Sequence, residues 1–506
     1  MAGSAIITFL SGRILSMVIL LTLQILIAHL LVPGEYALFA LALALAAFFQ
    51  TVNSFGVPRL IPRYFSQAGV TLAPATVRFL LFALTGFRIA ASAAMLVLAL
   101  FVARSIGFGA SLAPATLAAA IAYILVSIVQ VDCDAMTQAL RLQRLSRASI
   151  VGEAVARLAL VAAAAMLGRG RDAADILAIS AATAGAASLV TLASMLRLLG
   201  RMTPCATAAP LDHAEFRALA LAGWASAIAW FASSPAVIRL IAGRILDVAA
   251  FAGFAFVQGL VLSFQRYTPA MLVFPFVEAG VMRHFVRTGD RSRLENALSF
   301  VVKIDMLVIG GAIVGTAVAG GAIAGLLSGG RYGGAGIILP WVLAYILSTS
   351  IYRAFEIVSI ALGATRILAG SLVISGAWLV LLLALGARMG LPALVVIPIL
   401  DAGCRLALMT SRLRRFGIRH VLDVVLGIKW LLLVLACAAG GSRLGAYAGG
   451  SVQMSILCGT AAGLVYLAGM ALMRPFRIGE LALLGESGLR LPGIAVLGRF
   501  MTSNRA

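Results

Sequence analysis

LLVPGEYALFALALALAAFFQ, residues 30 to 50, decides the class of this molecule. A Pro-Gly-Glu-Tyr turn opens it, and from Tyr36 to Gly56 the chain carries no charged residue. Roughly twenty apolar residues are what a helix needs to cross a hydrocarbon core about 30 Å thick. Runs of the same kind recur along the whole chain. Of its 506 residues 62% are hydrophobic and only 11% charged, with a mean hydropathy of +1.08. A soluble domain carries about a quarter charged residues, so water is not the main solvent here. A β-barrel is excluded, because its strands would be shorter and would alternate in polarity.

Outward from that stretch, apolar runs bounded by charges or Pro/Gly breaks give spans at 8–31, 36–56, 80–103, 114–137, 149–168 and 174–196. After the polar stretch 199–213 come 217–240, 248–274, 297–327, 335–361, 367–387, 391–411, 420–440 and 451–473. The expectation is an all-α integral membrane protein of about fourteen transmembrane helices. The first run, from Ala5 to Val32, is too long for a signal-peptide core and is expected to stay as the first helix.

Orientation follows from arginine placement, since cytoplasmic loops are enriched in basic residues. Loops after the even-numbered spans, with the linker and the tail, hold 23 of the 37 arginines, among them Arg141, Arg144, Arg147 and the cluster Arg412, Arg414, Arg415 and Arg419. The opposite side holds eight. Both termini are therefore predicted on the cytoplasmic side of a bacterial inner membrane. The net charge of +21 is topological, with no aromatic-and-basic stripe to bind nucleic acid. Five scattered cysteines without CxxC spacing predict neither disulfide nor metal site.

Residues 245–265, ILDVAAFAGFAFVQGLVLSFQ, align with 30–50, sharing Leu31/Leu246, Ala37/Ala252, Ala40/Ala255, Leu45/Leu260, Phe49/Phe264 and Gln50/Gln265. A true repeat and a chance match in a chain rich in Ala and Leu both stay open. A repeat would divide the protein into two pseudo-symmetric six-helix lobes, 1–198 and 214–415, joined by a cytoplasmic linker at 199–213. Two more helices would follow within 416–474, then a cytoplasmic tail at 475–506. Repeated lobes around a central cavity are a common transporter plan.

Charges inside apolar spans are the candidate functional residues, since each costs roughly 2.5–3.5 kcal/mol at a helix centre on insertion scales. Glu153 and Arg157, Arg353 and Glu356, and Asp401 and Arg405 are spaced i, i+4 or i, i+3, which puts both members on one helix face. Two readings stand: structural self-pairing, or a proton or ion relay. Arg13, with Gln24 three turns along the same face, and Arg266, beside Pro269 and Pro275, have no such partner in sequence. Each either snorkels to the interface or faces a wet cavity, where a guanidinium binds phosphate in bidentate fashion. Arg239 and Arg244, at the outer end, either continue a cationic path or are solvated loop charges.

LIAHLLVPGEYALFALALALAAFFQTVNSFGVPRLIPRYFS (26–66) and LLSGGRYGGAGIILPWVLAYILSTSIYRAFEIVSIALGATR (326–366) resemble the polysaccharide-lipid flippases. These are the Wzx-type branch of the multidrug/oligosaccharidyl-lipid/polysaccharide exporter superfamily. The resemblance implies two six-helix lobes plus two C-terminal helices, moving an undecaprenyl-diphosphate-linked oligosaccharide from the cytoplasmic to the periplasmic leaflet. It also implies cavity-facing cations, carried over by position to Arg13, Arg239 and Arg266, and an apolar groove for the polyprenyl tail on the last two helices. The partners would be the lipid-linked oligosaccharide, membrane lipids and polysaccharide polymerase or export machinery.

No GxxxxGK[ST] is present, so no cofactor is expected and coupling falls to the membrane potential, H+ or Na+. A diphosphate carries about two negative charges, and an inside-negative potential of about 100 mV favours its outward movement by about 4.6 kcal/mol. Outer loops are too short for the catalytic domain of a membrane transferase, so an enzyme is not expected and no catalytic residue is assigned. A multidrug/cation antiporter and a lipid II flippase remain as alternatives.

Overall fold

The computed structural model describes residues 2–65, 72–105, 113–140, 142–202, 212–231, 234–265, 268, 290–362, 365–418, 424–447, 451–477, 479–480 and 502–503. Among the described residues, sixteen α-helices carry the fold. They are α1 (Ala2–Leu30), α2 (Pro33–Val52), α3 (Val57–Phe65), α4 (Pro74–Ser105), α5 (Pro114–Ala139), α6 (Gln143–Met166), α7 (Ala173–Arg201) and α8 (His213–Phe231). They continue with α9 (Pro235–Ile245), α10 (Val248–Gln265), α11 (Arg291–Leu327), α12 (Leu339–Ala361), α13 (Thr365–Met389), α14 (Leu391–Leu413), α15 (Val424–Tyr447) and α16 (Val452–Met473). Among the described residues, twelve helices are long and apolar enough to cross a membrane, and the apolar part of α1, Ile14–Leu30, is a shorter candidate.

Over their described residues the expected spans are largely helical, residues 232–233, 266–267, 269–274 and 420–423 lying outside the described residues, and three local differences have plain causes. The seventh is broken into α8 and α9, because Pro235 restarts the helix and Ser234 caps it, its side chain accepting from the Val237 amide at 3.4 Å. The ninth begins earlier, at Arg291, where the Asp290 carboxylate accepts from the Ser292 amide at 2.9 Å. At 37 residues α11 is roughly 55 Å long, so it extends beyond any bilayer core. The third is α3, a short helix between two spans. Its apolar residues Val57, Leu60, Ile61, Tyr64 and Phe65 recur at helical spacing and are all buried, while Arg63 stays exposed.

The chain forms two compact units, one of residues 18–252 and the other of 1–17 with 253–506. In the first, α3 packs on α4, α5 and α7 around Leu80, Met136 and Met195, and α8 and α9 pack on α2 and α3. In the second, α11 is the axis on which α12, α15 and α16 pack. Small residues make that axis close-packed. A Cβ on Gly320 would lie 2.5 Å from the Gly336 carbonyl oxygen, and one on Gly459 would lie 2.7 Å from that of Gly315. Backbone-to-backbone approach of this kind supplies van der Waals packing between helices where apolar burial gives no net drive. The carboxy-terminal segment adds a two-residue parallel pairing of β1 (Phe476–Arg477) with β2 (Thr502–Ser503).

Candidate functional site

In the first unit the turn 31–32 and the break before Pro235 bring three helices together around one cation. Gln24 of α1 donates to the Tyr36 hydroxyl of α2 at 2.5 Å, and Arg239 of α9 lies close enough to Tyr36 to interact electrostatically. Tyr36 and Arg239 are buried and Gln24 is half-buried. The cluster joins a fixed positive charge to an amide and a hydroxyl, a set that binds an oxyanion or a sugar hydroxyl. The sequence places Gln24 and Arg239 in the candidate site; the structure adds Tyr36, which sits in the opening quoted stretch. The backbone of Arg13 lies in α1, but its side chain falls outside the described residues, as do Arg266, Pro269 and Pro275 entirely.

The charge pairs divide. Glu153 and Arg157 of α6 form an ion pair, and Glu153 also accepts from the Gln130 amide of α5 at 2.5 Å. Arg157 reaches the Thr183 hydroxyl of α7 at 3.4 Å, so one local pair ties three helices together. Asp401 and Arg405 of α14 lie 2.9 Å apart, both buried. The Ser375 hydroxyl of α13 donates to Asp401 at 3.4 Å, and the guanidinium sits 4.5 Å from the centroid of the Tyr352 ring on α12. Arg353 is exposed and Glu356 half-buried on α12.

Three buried groups lie outside those pairs. Arg88 of α4 and Asp132 of α5 form a fully buried ion pair. Glu480 is completely buried near the end of the chain, where it accepts from Lys303 at 2.6 Å and from the Ser299 hydroxyl at 2.7 Å. Asp305 of α11 accepts from the Ser350 hydroxyl of α12. Their partners are 44, 177 and 45 residues apart, so no sequence spacing announces them.

Each unit also carries an apolar cleft. The one in the first unit, about 440 Å³, runs between α6 and α7 past Ala148, Gly152, Ala156, Ala186 and Val190, with Glu153 on its wall. The one in the second, about 460 Å³, lies along α11 and α16 between Gly311, Gly315, Gly459 and Gly463 and has no charged residue in its lining.

No protein-family model matches the chain, and no curated protein does. Among solved structures it is similar to the lipid II flippase MurJ in an inward closed conformation. That likeness has a TM-score of 0.58, covers 91% of this chain and 98% of that one, and comes with 14% sequence identity. The fold, together with twelve helices able to span a bilayer, defines a multi-pass helical membrane protein. In particular, it is the fold in which that lipid II flippase is built.

Proposed function

We propose that the protein is a flippase for a polyprenyl-diphosphate-linked oligosaccharide, passing it from the cytoplasmic to the outer leaflet by alternating access. The setting is a bacterial inner membrane with both termini cytoplasmic. The observation that carries the reading is the Gln24–Tyr36–Arg239 cluster inside a flippase-like fold. A guanidinium within electrostatic range of a hydroxyl that is itself hydrogen-bonded to an amide suits a diphosphate and its first sugar, and Arg13 and Arg266 stay as further candidate cations. The cleft along α11 and α16 suits the polyprenyl tail, being apolar and formed partly by the last spanning helix.

Coupling is to the membrane potential, H+ or Na+, and no step asks the protein for covalent chemistry. A cation antiporter is disfavoured by the state of the acids: Asp132, Glu153, Asp401 and Glu480 each hold a cationic partner within the protein. The Wzx-type reading, with surface polysaccharide as the end product and a polymerase downstream, is preferred to lipid II on the two sequence stretches that resemble that branch.

The test is exposure of the lipid-linked oligosaccharide on the outer leaflet in a deletion strain carrying wild type, Arg239→Ala or Arg266→Ala at equal membrane levels. Loss in the deletion strain, recovery with wild type and at least about tenfold less with either variant is expected, since a charge-assisted hydrogen bond to phosphate is worth roughly 1.5–3 kcal/mol. Normal exposure in the deletion strain, with no second flippase present, overturns the reading.

A further inference from the structure

The bend between α2 and α3 is built in a way that spanning alone does not require. After Val52 the chain turns through Asn53 and Ser54, both fully buried, then through Phe55 at φ 44° and Gly56 at φ 75°. A bulky aromatic residue in the left-handed region is uncommon and costs free energy, so it persists only where its surroundings fix it. Two sets of contacts do that here.

The first set comes from α4 and is itself anchored. Arg88 donates to the Asn53 carbonyl at 3.0 Å and to the Gln50 carbonyl at 2.8 Å, capping the C-terminal end of α2 with a cation. Asp132 of α5 holds that guanidinium, and the Asn53 amide donates to the Ser92 hydroxyl at 2.9 Å. The second set comes from α8. The Trp224 indole donates to the Val52 carbonyl at 2.7 Å and stacks on the Phe55 ring at 5.7 Å. The α8 backbone presses on the bend itself, because a Cβ on Gly56 would lie 2.1 Å from the Ala220 carbonyl oxygen. Further out, Tyr64 meets Phe216 at 5.5 Å and Arg63 bridges Glu215 at 2.9 Å, with the last pair largely exposed.

The two sets differ in what releasing them would cost. Freeing Arg88 strands a buried charge, whereas lifting α8 away breaks an indole hydrogen bond, ring contacts, the apolar contacts of Leu219 and Ala220 and a bridge that water can replace, and strands no buried charge. The helix that would lift is a separate rod, since the chain restarts at Pro235 with Ser234 as cap. Its continuation, α9, carries Arg239 to Tyr36 at the opposite end of α2.

We propose that the α2–α3 bend is a latch for α8: Arg88 and Asp132 keep the bend preformed, and α8 docks and undocks on Gly56, Phe55 and the Val52 carbonyl during each transport cycle. The part of this concerning the cycle rests on the flippase reading; the opening itself does not. The experiment uses the full-length protein in sealed proteoliposomes, with its five native cysteines replaced and cysteines placed by Arg63→Cys and Glu215→Cys. A short reducible thiol cross-linker then ties α3 to α8. Before cross-linking, amides of residues 216–224 are expected to exchange with deuterium ahead of the bend and of the α5–α7 core, and cross-linking is expected to slow them at least about tenfold. Trp224→Phe, which keeps the ring and removes the donor, is expected to speed the same amides roughly tenfold, the effect of one lost hydrogen bond. Outer-leaflet exposure of the oligosaccharide should stop on cross-linking and return on reduction.

If those amides exchange only with the core, with or without the cross-link, or if Trp224→Phe leaves them unchanged, there is no latch. Transport at the same rate in the cross-linked protein would also overturn the proposal. Should the reduced protein move no lipid-linked oligosaccharide, the flippase reading fails, and the exchange measurements still decide whether α8 opens.

Discussion

Two buried ion pairs, one in each unit, use the same chemistry to different ends. Arg88–Asp132 joins α4 to α5 and, through the Asn53 and Gln50 carbonyls, fixes the end of α2. Asp401–Arg405 closes within α14, one turn apart, and touches its neighbours through Ser375 and the Tyr352 ring. The first is a tie between helices; the second is mainly a local neutralisation that lets one helix carry two charges through an apolar environment. A buried pair costs desolvation that its own attraction barely offsets, so its worth lies in what else it holds.

The largest effect is therefore expected for Asp132→Ala, which leaves Arg88 charged and completely enclosed. It should destabilise the protein by about 3–5 kcal/mol, read as a shifted midpoint in reversible unfolding with SDS. The double variant Arg88→Met/Asp132→Ala should recover only part of this, because the α2 carbonyls lose their cap. Full recovery would reduce this pair to the same local role as the other. Asp401→Asn should cost less, about 2 kcal/mol, since Arg405 keeps its place over the Tyr352 ring and the amide still accepts a hydrogen bond. A loss equal to that of Asp132→Ala would erase the distinction between tie and local pair. Smallest is Arg63→Ala on the exposed bridge to Glu215, with side chains 54% and 41% exposed: below about 1 kcal/mol and vanishing at high salt.

The same contrast explains what could be read in advance. Asp401–Arg405 and Glu153–Arg157 are legible because an i, i+4 spacing is a statement about one helix, and both form. Arg353 and Glu356 have i, i+3 spacing, yet the structure leaves Arg353 exposed: spacing brings side chains to one face and does not choose where that face points. Arg88 passed unnoticed inside an apolar span, since its partner is 44 residues away on another helix. Gln24 was legible as a polar residue on the helix face of Arg13, and Arg239 only as a cation at the outer end of its span. Tyr36 was not, because a tyrosine at the start of a span reads equally well as an interfacial anchor.

By itself the sequence determined the helices, since a bilayer admits few ways to satisfy a backbone and an uninterrupted apolar run of about twenty residues is one of them. Only the tertiary structure decided that α8 rests on Gly56 and that Glu480 closes on Lys303 from 177 residues away. Those features depend on which helices meet, and in a chain of Ala, Leu and Gly nearly every helix face is apolar enough to meet any other.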